Sequence, residues 1–288
     1  MGMIFMAILA AGLIGPLDHT VVSPTWLEQH LDDPNVVVVE IGSSPTADHP
    51  HIPGARFVAI ESIVARDGWP PDELPPVDQL RRAFENAGVG NDGRIILYSA
   101  APLYATRAWF TLDYLGQGDR TAILDGGFKR WVAEKHTLAT KRIPHLAKTF
   151  TPRPDATRVL SLAEVRAARN AGAVLIDARS THEYRGLHRG GQVVRRGHIP
   201  GAYCDPWQSN LTPSGSFLSP EQLRSEYETI VSKPEARVIV YCRTGMEASM
   251  PYFVLRSLGY DVALFDGSFT EWARDKSLPV VGLSTRRP

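Results

Sequence analysis

Cys242, Arg243, Thr244 and Gly245 stand in a row between a short apolar run, Val238 to Tyr241, and a stretch of helical periodicity. The run is β-branched and aromatic, as in a parallel strand buried on both faces. Downstream, Met250, Phe253, Val254, Leu255 and Leu258 recur at three- and four-residue spacing, and Gly259 stands where a left-handed C-terminal cap belongs. Cys242 is therefore expected at the carboxyl end of a strand, in a tight loop feeding a helix N-terminus. Loop amides and the helix dipole converge there and favour a thiolate or a bound anion. A cysteine so placed is expected to have a lowered pKa and to be nucleophilic. The competing reading is a strand-end cysteine that merely packs, and the strand, Arg, Gly, helix context weighs against it.

Cationic partners for an anion are Arg243 itself and Arg179, which follows the run Val174 to Asp177 at the carboxyl edge where open α/β sheets bind ligands. Arg179 also reads as one half of an ion pair with Asp177 or Glu183. Arg189, Arg195 and Arg196 stand behind them as further candidates for the anion, and Arg195 and Arg196, in a Gly-rich stretch, also read as solvated. A phosphatase loop of the Cys-x5-Arg type needs an arginine to embrace phosphate. Here the corresponding positions are Ala248 and Ser249, which removes that chemistry.

The elements that must hold this loop alternate strand and helix. Val36 to Ile41, Ile95 to Tyr98 and Ala122 to Leu124 read as strands, with helices expected at Val21 to Leu31, Val77 to Ala87 and Tyr104 to Leu115. Ser23 is a candidate N-cap and Pro24 suits the first helical position. Such alternation predicts an α/β fold with parallel sheets and right-handed crossovers. At 288 residues the chain suits two ordinary domains. Lys plus Arg and Asp plus Glu are both 31, which argues against a broad nucleic-acid surface. The two cysteines, Cys204 and Cys242, make no disulfide scaffold and lack the spacing and histidine company of a zinc site. The apolar start, Met1 to Gly15, is too short for the roughly 20 residues of a membrane span. It reads as an N-terminal extension or, if residues 1–12 act so, as a signal peptide.

The second half repeats the first. Tyr98 to Gly116 and Tyr241 to Gly259 align without a gap, pairing Ser99 with Cys242, Thr106 with Ser249 and Leu112 with Leu255. HIPGA at His51 to Ala55 recurs at His198 to Ala202, and DGGFKRW at Asp125 to Trp131 recurs as DGSFTEW at Asp266 to Trp272. A repeat of roughly 140 residues means a duplicated domain rather than a solenoid. The expected division is an extension over 1–20, a first domain over 21–136, a Pro- and Lys/Arg-rich linker over 137–158, and a second domain over 159–288. Where the second copy has Cys-Arg-Thr-Gly, the first has Ser-Ala-Ala-Pro.

The paired HIPGA segments, the DAR to EYRG stretch from Asp177 to Gly186, the VYCRTG loop and the DGSFTEW ending resemble the tandem-rhodanese sulfurtransferases, over nearly the whole chain from Val21. The resemblance implies two rhodanese-like domains, each an open parallel sheet flanked by helices, the first structural and the second carrying a persulfide on Cys242. It implies a cradle for that persulfide from Gly245, Met246, Glu247 and Ala248, donor binding by Arg179, Arg243 and Thr244, and no metal or organic cofactor. Partners would be a small anionic sulfur donor, a thiol or cyanide acceptor and a sulfur-acceptor protein, with no nucleic acid or membrane, in a cytoplasmic monomer. Arg243 matches the family's thiosulfate pattern and Thr244 its 3-mercaptopyruvate pattern; a full charge beside the thiolate favours thiosulfate. In the mercaptopyruvate branch a first-domain histidine and acid would assist the loop hydroxyl, here His51, Asp48 and Thr244. Glu247 departs from both patterns and would oppose an anion unless an arginine neutralised it. A non-catalytic sensing or scaffolding module is the reading from another class. Cys204 reads as a small buried residue on a strand or, if its neighbour approaches within about 7 Å, as a resolving thiol for Cys242. His198 reads as fixing a turn.

Overall fold

The computed structural model describes residues 19–44, 49–65, 68, 70–191 and 193–282. The apolar start and Asp48 lie outside the described residues. Among the described residues ten strands form two five-stranded sheets. The first contains β1 (Val21–Val22), β2 (Val36–Gly42), β3 (Arg56–Ala59), β4 (Arg94–Tyr98) and β5 (Thr121–Leu124), in the order β1-β5-β4-β2-β3. The second contains β6 (Val159–Leu160), β7 (Val174–Asp177), β8 (Tyr203–Cys204), β9 (Val238–Tyr241) and β10 (Val262–Phe265), in the order β6-β10-β9-β7-β8. Every pairing is parallel, and the two orders are the same walk through the chain. The protein is an α/β chain of two like domains, as the repeat implies.

Val38, Val39, Ile95, Ile96, Ile239 and Val240 are buried, which is why these runs are apolar without alternation. The first expected helix is shorter than its pattern. Val21 and Val22 pair with β5, and the helix occupies Pro24–Gln29, with Ser23 accepting from the Trp26 amide and Pro24 opening the first turn. The helix expected from Tyr104 begins earlier, at Pro102, and ends at Tyr114.

The repeated segments have structural jobs. In each domain the Ile amide of HIPGA donates to the hydroxyl of the tyrosine that ends the central strand, Ile52 to Tyr98 at 3.2 Å and Ile199 to Tyr241 at 3.1 Å. Each HIPGA histidine also forms an antiparallel bridge to the segment that closes its domain, His51 with Ala139 and His198 with Val281. The stretch between the domains is packed rather than loose. Phe150 is buried against Phe84 at 5.5 Å, Arg142 pairs with Glu40, and the Arg153 amide donates to the Leu115 carbonyl at 2.9 Å.

The domains meet through two matching helices, Pro102–Tyr114 and Ser249–Ser257. Thr106 and Ser249, paired by the repeat, share a hydrogen bond at 2.8 Å. Around them Trp109 packs edge-on against Phe253 and Phe110 against Tyr252, both at 4.9 Å. These contacts are mates of one another under the repeat, so the domains are related by a local two-fold axis through this point. Asp113 adds polar ties by accepting from Tyr252 at 2.6 Å and from Arg256 at 3.0 Å. The apolar core runs across the junction without a break, so the two domains share one core.

Candidate active site

β9 delivers Cys242 to the carboxyl edge of the second sheet, and the next helix does not start until Ser249. The residues between them wrap the sulfur. The Gly245 amide donates to Cys242 Sγ at 3.1 Å, and the amides of Thr244 and Ala248 also act on it. Gly245 has φ 89, and a Cβ there would lie 2.9 Å from Asp266, so only glycine allows the turn. Met246 and Glu247 are partly buried on the loop, while Ala248 is buried.

The thiol differs from expectation. Cys242 is wholly buried, and its pKa is pushed up to about 12, first by desolvation and then by the charge of Glu247, against which the three amides pull it down. A loop at a helix N-terminus lowers a thiol only where the sulfur keeps enough polar surroundings. Here burial outweighs the amides and favours the protonated thiol.

Two carboxylates share one guanidinium beside the loop. Arg243 Nε lies 3.3 Å from Glu183 Oε1, and Arg243 Nη2 lies 3.5 Å from Glu247 Oε1. Arg243 thus meets Glu247 but is shared with Glu183, so it offsets the Glu247 charge only in part, and it remains about a third exposed at 35%. Glu183 Oε1 and Glu247 Oε2 are buried without hydrogen bonds. Gly190 and Gly191, both at positive φ, lie against Glu183 and Arg243, where a Cβ on Gly190 would meet Glu183 Oε1 at 2.1 Å.

Arg179 is placed in the ion pair. Its Nε donates to Asp177 Oδ1 at 2.9 Å, its Nη2 donates to Asp177 Oδ2 at 2.5 Å and to the Gly197 carbonyl at 2.8 Å, and its guanidinium lies 4.0 Å over the Phe269 ring. Burial works against its charge, but the Asp177 carboxylate outweighs that and raises its pKa. Arg195 is not solvated as expected. It donates to the carbonyls of Trp272, Ala273, Asp275 and Leu278, satisfying the end of the Ser268–Arg274 helix. Arg189 and Arg196 are exposed.

Two relations expected around Cys242 do not form. Cys204 lies level with Asp177, which lies level with Tyr241, so Cys204 stands two strands from β9. At strand spacing that is roughly 9–10 Å between Cα atoms, beyond the reach of a disulfide. Its sulfur instead faces the Thr181 hydroxyl at 3.9 Å, and burial raises its pKa. His51 does not serve Thr244 either, because its Nδ1 bonds the His49 carbonyl at 2.8 Å and its ring is buried beside Ala139. His198 does fix a turn, with Nδ1 2.8 Å from the Tyr184 carbonyl and its ring stacked on Tyr184.

Three residues outside the expected set complete the site. The Thr244 hydroxyl donates to Asp72 of the first domain at 2.8 Å. Asp72 has φ 64, and its carbonyl accepts from Arg107 at 2.7 Å. Arg107, wholly buried on the first domain's interface helix, also donates to Asp266 at 2.9 Å and to the Gly245 carbonyl at 3.3 Å. Ser268 holds φ 52, and its hydroxyl accepts from the Cys242 amide at 3.2 Å. Asp72 sits in a Pro-rich stretch with no signal in the sequence. Arg107 does carry one, being a charge on an apolar helix face where the repeat places Met250. Ser268 carries another, since the repeat places Gly127 there, and Gly127 has φ 55.

Among the described residues no group of three or more His, Cys, Asp or Glu could hold a metal ion, and no helix is long and apolar enough to cross a membrane.

A buried cysteine circled by loop amides at the edge of one of two duplicated parallel-sheet domains defines a class, and the comparisons agree with it. The rhodanese-like domain profile matches residues 23–134 and again 161–275. The sulfur carrier protein TtuD of Thermus thermophilus is 31% identical over 283 residues, covering 91% of this chain and 96% of that protein. The thiosulfate sulfurtransferase of Azotobacter vinelandii is 29% identical over 267 residues, covering 90% and 96%. The crystal structure of SseA from Escherichia coli, described as a 3-mercaptopyruvate sulfotransferase, superposes with a TM-score of 0.74 at 28% identity, covering 86% of this chain and 98% of that one. The chain belongs to the rhodanese family, as a tandem-domain sulfurtransferase.

Proposed function

We propose that Cys242 carries sulfane sulfur as a persulfide and that thiosulfate is its donor. The observation that carries this reading is the convergence of the Thr244, Gly245 and Ala248 amides on Cys242 Sγ, because donors aimed at one sulfur stabilise its negative charge without reorganising. In the forward step the Cys242 thiolate attacks the outer sulfur of thiosulfate. The S–S bond of the donor breaks, sulfite leaves with the electron pair, and the enzyme holds Cys-S-S⁻. Cyanide or a thiol then takes the outer sulfur and returns the thiolate. Arg243, partly exposed beside the loop, is the cation that meets the donor; Arg179 acts behind it by fixing Asp177 and the Phe269 ring. The thiol must lose its proton before attack, and Glu247 is the charge that opposes that loss.

The Thr244 to Asp72 bond favours a second donor, 3-mercaptopyruvate, whose pyruvate enolate needs a proton relay at the loop hydroxyl. Asp72 is the acid beside that hydroxyl. A thiol or a carrier protein is the proposed acceptor, and a monomer the proposed state. Cyanolysis with each donor in parallel decides between them. Thiocyanate from thiosulfate with the larger kcat/KM supports the first reading, and the reverse order supports the second. A Thr244→Val variant that slows only the mercaptopyruvate reaction would assign the relay. No thiocyanate from either donor would sink the enzyme reading and leave a binding module.

A further inference from the structure

The repeat gives the first domain a position equivalent to the cysteine loop, and that position is hollow. A cavity of about 470 Å³ opens at Ser99. Pro102, Ala105 and Leu124 of the first domain form its floor, and Trp207 and Met250 of the second close over it. Met250 is the repeat partner of Arg107, so the interface helices send a guanidinium to one loop and a thioether to the other. Lys129 is the only charged residue of the lining; it is exposed, and no carboxylate lines the cavity to meet it.

These facts describe a built site rather than an abandoned one. The cavity has the volume of a small-molecule pocket and a largely apolar lining, with Ser99, Gln208, Thr212 and Ser214 as polar side chains and Lys129 as its cationic anchor. We propose that this cavity binds a small amphipathic monoanion, an aromatic or branched carboxylic acid with its apolar body between Trp207 and Met250 and its carboxylate on Lys129. The site is separate from the sulfur chemistry at Cys242 and does not depend on it.

Calorimetric titration of the full chain with 2-naphthoate, and with 2-naphthalenemethanol as its uncharged counterpart, tests the assignment. The wild type should bind naphthoate at a single saturable site. Lys129→Gln should weaken naphthoate by about tenfold, the effect of one charged hydrogen bond, and leave the alcohol unchanged. Ala105→Leu, which places a side chain in the hollow, should abolish both, and Cys242→Ser should change neither. Circular dichroism reports whether each variant folds; should Ala105→Leu fail, the exposed Lys129→Gln still decides. Absence of saturable binding overturns the proposal. Binding that ignores Lys129→Gln overturns the anionic class, and binding that survives Ala105→Leu or is lost in Cys242→Ser places the probe elsewhere and overturns the site.

Discussion

At the end of β4 the chain turns almost at once into a helix, with Pro102 in its first turn; at the end of β9 the matching helix waits until Ser249. Aligned by the repeat, both helices end together, but the first begins four residues sooner. Those residues are the difference between a cradle and a cap. In the second domain the Gly245 and Ala248 amides among them turn toward Cys242, whereas in the first they wind into helix, and the Ser99 hydroxyl accepts from the Ala101 amide at 3.1 Å. Proline at the first helical position is pre-set for helix and has no amide to give. Loss of the cysteine and loss of the cradle are thus one structural event. The support follows the same division, since Arg107, Asp72 and Ser268 brace the second loop, while Met250 and Gly127 stand at the matching places in the first.

Exchanging the features of one loop for those of the other tests this comparison. The largest effect is expected from Arg107→Met, which gives the active loop the residue its counterpart has. It strips a buried partner from Asp266 and a donor from the Gly245 carbonyl, and should cost about 3–5 kcal/mol of stability together with most turnover. Denaturant melting and cyanolysis measure the two, and a variant as stable as wild type would mean the ion pair does not hold the loop. Ser268→Gly copies Gly127. Relief of strain at φ 52 offsets the lost hydrogen bond, so stability should move by under about 1 kcal/mol while turnover falls about fivefold; equal loss of both would make Ser268 only a fold residue.

Glu247→Gln removes the one carboxylate that raises the Cys242 pKa. The thiolate is then less opposed, so the pH midpoint for alkylation of Cys242 should move downward, and the rate at fixed pH below that midpoint should rise. A midpoint that stays in place would assign the raised pKa to burial alone. The smallest effect is expected from Ser99→Cys. A thiol there meets Ala100, Ala101 and Pro102 rather than a cradle, so turnover should stay at the wild-type level, and activity surviving in the Ser99→Cys, Cys242→Ser double variant would show that the loop matters less than the nucleophile.

Much of this was legible in the sequence because duplication makes a chain its own comparison. Strand-like runs, the HIPGA pairs and the Ser99 to Cys242 match point to two parallel-sheet domains and to the site's place without any contact being known. The limits were physical. Thr244 finds Asp72 across 172 positions of chain, a relation that no local pattern carries. The high pKa of Cys242 depends on how deeply its sulfur is enclosed, which residue types do not state. Cys204 seemed near because HIPGA precedes it, yet the sheet order puts β7 between it and β9. Arg195 looked solvated beside glycines, but a helix end with unpaired carbonyls lay within its reach. Pro102 was a readable helix start that apolar periodicity, counted from Tyr104, passed over.

The central claim is that one loop of the two carries sulfur. Intact-mass analysis of the wild-type chain after treatment with thiosulfate, followed by peptide mapping without reductant, addresses it directly. The account predicts one added sulfur atom per chain, located on the peptide containing Cys242 and absent from Cys242→Ser. Sulfur found on Cys204, or a mass unchanged by the donors thiosulfate and 3-mercaptopyruvate alike, would contradict it.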